Sequence, residues 1–391
     1  MEKTCRWFGK KDRISIAMLR QIGVEGIVTT LHDVPNDEVW TLEAIEDLKH
    51  YIESFGLRWS VVESLPVCEA IKCAGTERNQ LIENYKVSLA NLGKAGIKTV
   101  CYNFMPVIDW IRTDLQHPWA DGSSSLYFDK VRFAYFNCRI LQREGAEKDY
   151  TSEELEQVST LDKTITETEK EVLIDTIIVK TQGFGNGNIK EGDKNPVNIF
   201  KSLLTLYNDI DRDTLRENMR YFLTAIMLMC EEYSMNMCVH PDDPPSQLLG
   251  LPRIVTCEED IDWLLKAVDN SHNSLTFCAG SLGEHNDTRK LAEKFTKGTH
   301  FVHLRSTQAM PGGNFMESSH LEGRGHLIDL IRIFKKENPS LPMRVDHGRM
   351  MLGDEDKVYN PEYSFHGRML ALAQVEGIIA VVKYELENGL I

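Results

Sequence analysis

Four strand-like runs in the second half of the chain end on a side chain that can ligate a metal: His240, Cys278, His303 and Asp346. Two neutral imidazoles, one thiolate and one carboxylate would bring two negative charges to a divalent cation. A mixture of N, S and O donors suits Mn²⁺, Fe²⁺, Zn²⁺ or Co²⁺ and does not suit Mg²⁺ or Ca²⁺. A structural zinc site draws its ligands from close-spaced pairs, whereas these are dispersed over about a hundred residues. Each residue also has a plainer reading. His240 fits a buried, satisfied histidine, Cys278 a small core residue, and Asp346 a cap for the turn that follows it. Cys238 shares a strand face with His240 and competes with it as a ligand, one pleat deeper.

The neighbours of these residues sharpen the chemistry. His303 and Arg305 point the same way by the period of two, and a guanidinium beside a ligand suits a substrate carboxylate. Asp346 and His347 are adjacent, so they face opposite sides of a regular strand. Both reach one site only if the strand bends, which Gly348 would permit. Two prolines after Asp242 and Asp243 make a stiff loop behind His240. Arg6 and Trp7, His32 and Asp33, Glu63, and Asn103 and Asp109 follow the earlier strand-like runs.

Something must bring such distant residues together. Eight short, β-branched runs are legible: 3–8, 26–30, 59–63, 99–104, 235–240, 275–279, 300–304 and 343–346. Amphipathic helical spacing separates them, including 42–55, 78–92, 214–233 with a Thr214/Glu217 capping box, 260–268, 288–295 and 327–335, and a last helix opens at 363–374. Short apolar strands alternating with helices mean parallel strands. Eight units predict a closed (β/α)₈ TIM barrel, with reactive groups at the C-terminal strand ends. An open doubly wound sheet would want a Gly-rich phosphate loop after its first strand, and Phe8-Gly9-Lys10-Lys11 is not one. Residues 1–391 are expected to form a single catalytic domain. Residues 105–211 break the alternation as an insertion after the fourth strand, a lid or an interface arm. Within it, Gly183-Phe184-Gly185-Asn186-Gly187 reads as a flexible loop and Glu153-Glu154-Leu155-Glu156 as a solvated helix start.

The formal net charge of −15 argues against nucleic acid or an anionic membrane as partner. Nine cysteines without paired spacing, a polar start and no apolar run long enough for a bilayer lead to the expectation of a reduced, cytoplasmic protein. No Walker loop and no Gly-x-Ser-x-Gly elbow is present.

Arg6-Trp7-Phe8-Gly9, Tyr102-Asn103-Phe104-Met105-Pro106, His240-Pro241-Asp242-Asp243-Pro244-Pro245 and Asp346-His347-Gly348-Arg349 resemble the motifs of the mannonate dehydratase family over nearly the whole chain. The resemblance implies a (β/α)₈ barrel, a requirement for Mn²⁺ or Fe²⁺, and dehydration of D-mannonate to 2-dehydro-3-deoxy-D-gluconate in hexuronate breakdown. It places the metal ligands on His240, Cys278, His303 and Asp346. The acid/base pair falls on His347 and Tyr363, with Tyr359 as a rival to the tyrosine. Arg305, Trp7, Asn103 and Arg349 are the substrate-binding candidates, and a homo-oligomer, dimer or tetramer, is expected. The alternative is a metal-dependent sugar isomerase or epimerase on the same barrel. Those sites favour carboxylate-rich ligation, so Cys278 counts against it. A non-catalytic sugar-acid-binding protein is the third reading.

Overall fold

The computed structural model describes residues 1–181, 189, 192–354 and 357–391. The Gly183–Gly187 loop reading lies outside the described residues. Eight parallel strands close into a barrel in sequence order. They are β1 (Glu2–Arg6), β2 (Gly26–Thr29), β3 (Arg58–Glu63), β4 (Thr99–Tyr102), β5 (Asn236–Val239), β6 (Asn273–Cys278), β7 (Thr299–Leu304) and β8 (Pro342–Val345). Each is followed by a helix: α1 (Ile16–Gln21), α2 (Leu42–Glu53), α3 (Arg78–Lys94), α4 (Arg212–Tyr233), α5 (Glu258–Lys266), α6 (Thr288–Phe295), α7 (Leu327–Glu337) and α8 (Phe365–Glu387). β2, β4 and β6 are buried along their whole length, as strands covered on both faces must be.

Inside the barrel, Val28, Val61, Cys101, Cys238 and Phe301 form one buried layer. Cys238 therefore belongs to the barrel filling. Burial pushes its thiol up to about 12, and its sulfur lies 3.2 Å from the Ser274 hydroxyl. Its rivalry with His240 ends there.

Helix α4 begins two residues before the sequence reading placed it. The Asp211 carboxylate accepts the Thr214 N–H at 2.8 Å, so Asp211 is the cap and Thr214 lies inside the first turn. The acidic run at 153–156 does open a helix, Ser152–Leu161, with Thr151 and Glu154 forming the capping box.

Residues 105–211 carry more regular structure than the loop-rich expectation. They hold a hairpin, Asp114–Pro118 with Ser124–Phe128, and several helices. A second hairpin, Thr307–Met310 with Asn314–Glu317, fills the β7–α7 connection, which the sequence reading left blank. The two hairpins join in one antiparallel sheet through Phe315↔Phe128 and Met316↔Tyr127, with the two phenyl rings stacked at 5.1 Å. Both leave the C-terminal ends of barrel strands, so this sheet stands at the mouth where a barrel's chemistry is placed. No helix among the described residues is long and apolar enough to cross a membrane.

Candidate metal centre and cleft

At the mouth, β5, β6, β7 and β8 deliver their terminal side chains to one place. Ligand atoms of His240, Cys278 and His303 all lie within 4.8 Å of one another. Asp346 joins them, with one carboxylate oxygen 3.8 Å from Nδ1 of His303 and 3.5 Å from Nε of Arg305. Cys278 and His303 are fully buried and Asp346 is nearly so.

The hydrogen bonds fix how the imidazoles face. Nδ1 of His240 lies 2.7 Å from the Pro241 carbonyl, which can only accept. Nδ1 therefore carries a proton, and Nε2 is the nitrogen left facing the cluster, with a lone pair to offer a metal once it is deprotonated. That Nε2 sits 3.2 Å from Nδ1 of His303. On the far side of the His303 ring, Nε2 lies 3.6 Å from Glu63 and has no hydrogen-bond partner among the described residues. Two imidazole nitrogens this close share either a proton or a cation between them. Nitrogens bound at about 2.0–2.1 Å to one tetrahedral ion stand about 3.4 Å apart, close to the distance seen. The donor set thus fits a divalent cation.

Electrostatics agree. Burial opposes ionisation of Cys278, but Arg305 and His240 overcome it and hold the thiol well below its ordinary range. Ser281 Oγ and Arg305 Nε donate to the sulfur at 3.2 and 3.4 Å. Burial likewise opposes ionisation of Asp346, and Arg344, His347 and His303 reverse it. Burial works against charge on His240, yet the Cys278 thiolate raises it to about 9. A thiolate and a carboxylate that their cationic neighbours favour in the ionised form are suited to ligate a metal ion.

A cleft opens onto this cluster. Among the residues expected at the site, Asn103, His240, Arg305, Asp346, His347 and Tyr363 line it, with Cys278 and His303 just behind. The Tyr363 hydroxyl donates to Asp346 at 2.9 Å and accepts from Arg344 at 3.0 Å. Tyr359 packs against the core outside the cleft. Nδ1 of His347 is 3.1 Å from Glu317, which leaves Nε2 toward Asp346 at 3.8 Å.

The structure does not bring Trp7 or Arg349 to the cleft. Trp7 is 2% exposed and stacks on Tyr51 of α2 at 5.9 Å. Strand alternation explains this: Arg6 and Phe8 face inward, so Trp7 faces the helix layer. Arg349 donates to Asp121 and Ser123 at 3.0 and 3.1 Å and lies over the Trp119 ring, gripping the tip of the inserted hairpin. Arg305 is present, but its donors are committed. Nη1 bonds Glu317 at 2.6 Å, and Nη2 bonds Asp243 and, at 3.0 Å, Ser281. Arg112, from the insertion, pairs with the same two carboxylates at 3.2 and 2.8 Å. This buried box of two arginines and two acids ties insertion, β5 loop and second hairpin together.

Asp346 and His347 do reach one site, but the bend is not where Gly348 suggested. His347 itself is left-handed, with φ +56, a strained conformation of the kind found at functional sites. Gly348 is required for a different reason. A Cβ there would stand 2.5 Å from the Gly367 carbonyl carbon and 2.6 Å from the Arg368 nitrogen at the start of α8. Gly348→Ala is therefore expected to cost about 1–3 kcal/mol by overpacking. It should lower both melting temperature and turnover, since His347 is the next residue. A thermal melt and an activity assay check this, and an unchanged pair of values would show that the contact yields freely.

A closed (β/α)₈ barrel with nitrogen, sulfur and oxygen donors gathered at its C-terminal mouth defines a barrel enzyme with a candidate divalent-metal centre. Comparison with known proteins names the family. The D-mannonate dehydratase (UxuA) family profile matches residues 1–388. A mannonate dehydratase from Marinomonas sp. (strain MWYL1) is 43% identical over 390 residues, covering 97% of this chain and 98% of its own. The crystal structure of mannonate dehydratase from Streptococcus suis serotype 2 superposes with a TM-score of 0.79 at 32% identity, covering 99% of this chain and 96% of that one. A D-tagatose 3-epimerase-like protein, at 10% identity and a TM-score of 0.53, covering 99% of this chain and 100% of that one, shares the fold alone. The chain belongs to the D-mannonate dehydratase family, a family of metal-dependent hydro-lyases.

Proposed function

We propose that this chain removes water from D-mannonate to give 2-dehydro-3-deoxy-D-gluconate. The observation that carries the reading is the pair of imidazole nitrogens 3.2 Å apart beside an ionised thiolate and carboxylate, in a chain of this family. His240, Cys278, His303 and Asp346 would hold the ion, Mn²⁺ or Fe²⁺. Such an ion supplies positive charge that stabilises the anion developing when a proton α to a carboxylate is removed.

The chain's own groups do the rest. His347 and Tyr363 share the cleft wall, their rings 5.7 Å apart. One takes the C2 proton and the other protonates the departing C3 hydroxyl, so the proton and the hydroxyl leave as water. The resulting enol tautomerises to the 2-keto acid. Glu317 holds Nδ1 of His347 and so presents Nε2 to the substrate. Asn103 offers an amide to a substrate hydroxyl. Arg305 keeps Cys278, Asp243 and Glu317 in register.

We assign the first part of the 105–211 insertion to the cleft wall, because Asp109 and Trp110 line it directly. The inserted hairpin is held by Arg349 and by the shared sheet. A dimeric or tetrameric assembly and a cytoplasmic location belong to the same proposal. Nine cysteines without a disulfide support a reducing compartment.

A keto-acid assay of the metal-loaded enzyme across D-mannonate, D-gluconate and other aldonic acids tests the function. The expected result is 2-keto acid formed fastest from D-mannonate. Epimerised aldonate without keto acid would replace the dehydratase with an epimerase.

A further inference from the structure

Three arginines line the cleft, Arg6, Arg305 and Arg344, and two of them are occupied by the protein. Arg305 bonds Glu317, Asp243, Ser281 and Cys278. Arg344 donates to Glu63 at 3.1 Å and to Tyr363 at 3.0 Å, and pairs with Asp346 at 3.0 Å. Turning either toward a substrate would leave a buried carboxylate uncompensated, which is strongly unfavourable.

Arg6 is different. Its Nη1 makes one long ion pair, 3.6 Å from Glu63, and its buried Nε, like that of Arg344, has no hydrogen-bond partner among the described residues. The guanidinium carbon lies 5.5 Å from the Phe8 ring, and the side chain is 12% exposed. Its backbone is well fixed. The Arg6 carbonyl accepts from Arg368 at 2.5 Å, and the Trp7 N–H donates to Val28 at 2.9 Å. The barrel therefore presents, in a fixed place, a charged planar fork that is only loosely paired among the described residues. Leaving such a donor unmet is unfavourable, and more so for a charged one. The cost is recovered when a ligand supplies the acceptors.

The ligand must be anionic and planar. Glu63, Asp109, Asp243 and Asp346 surround the same space, so an anion entering it needs a local cation that is not already neutralised. We propose that Arg6 is the residue that grips the sugar acid's carboxylate, in the bidentate geometry that guanidinium and carboxylate share. The expected role of Arg305 as that grip passes to Arg6. This proposal rests on the dehydratase reading for its substrate and deepens it: Arg6 makes the site one for aldonic acids rather than neutral polyols or aldoses.

The test compares the metal-loaded parent with Arg6→Gln and Arg6→Lys, using D-mannonate and its uncharged amide, D-mannonamide. Arg6→Gln is expected to raise KM for D-mannonate about 10- to 100-fold with a smaller change in kcat. Calorimetry should show the same loss of D-mannonate affinity, D-mannonamide affinity held within about twofold, and metal content unchanged. Arg6→Lys, which keeps charge but not the fork, should recover part of the loss. Arg6→Gln binding D-mannonate as tightly as the parent would overturn the proposal. So would equal losses for the acid and the amide, which would mark a packing role. If the parent formed no keto acid from any aldonate, the dehydratase reading would fall, and the calorimetric comparison would still judge Arg6.

Discussion

Cys278→Ala is expected to strip the bound metal and to lower turnover by about a thousandfold or more. The magnitude follows from the thiolate's place in the cluster. Losing a residue that merely orients a ligand costs 10- to 100-fold in affinity or activity, and Cys278 supplies a donor atom itself. The loss should not come from unfolding. Alanine is smaller than cysteine, and the thiol's contacts are with Ser281 and Arg305, not with a load of apolar packing. Without the thiolate, Arg305 still has Asp243 and Glu317 to balance it. Elemental analysis, the keto-acid assay and a melting curve on one preparation check all three points. A variant that kept its metal and its turnover would remove Cys278 from the centre.

His347→Asn should separate chemistry from metal binding. General acid–base groups contribute about 10²- to 10⁴-fold, so kcat should fall by that range while metal content stays at the parent level. Asparagine is chosen because His347 has φ +56, and asparagine adopts the left-handed region more readily than most residues. The backbone that carries Asp346 to the ion is then preserved. Near-normal turnover with metal retained would exclude His347 from proton transfer. Loss of metal along with turnover would mean that the imidazole, through its 3.8 Å approach to Asp346, supports the ligand instead.

The barrel was legible because its signal is local. Each strand is a short β-branched run and each helix an apolar stripe, so all eight strands fall within a residue or two of their sequence-read limits. The metal cluster was legible for a related reason. Barrel chemistry sits at C-terminal strand ends, and those ends can be inspected for ligand types one by one. Trp7 is the exception: the period of two selects Arg6 and Phe8 for the inside, so Trp7 faces the helix layer.

The remainder depended on contacts distant in sequence. Nothing near Arg305 shows that Asp243 and Glu317 take its donors, because those partners lie 62 and 12 residues away and arrive through separate loops. The β7–α7 hairpin did leave a mark, Pro311-Gly312-Gly313, with both glycines at positive φ. Asp121-Gly122 marks the turn of its partner in the insertion, where Gly122 has φ +86. Reading those two turns as hairpins would have placed Glu317 at the mouth. The bend at His347 left no mark, since glycine next door offered the cheaper explanation. The four residues from Asp346 to Arg349 turn out to divide the work: a carboxylate at the cluster, an imidazole in the cleft, a bare backbone against α8, and a clamp on the inserted hairpin.

X-ray absorption at the edge of the bound metal tests the centre most directly. The expected result is one ion per chain whose nearest shell contains a single sulfur at about 2.3–2.5 Å beside nitrogen and oxygen donors, with the sulfur contribution absent from a Cys278→Ser variant reloaded with the same metal. A shell of nitrogen and oxygen alone in the unaltered enzyme, identical in the two proteins, would contradict it.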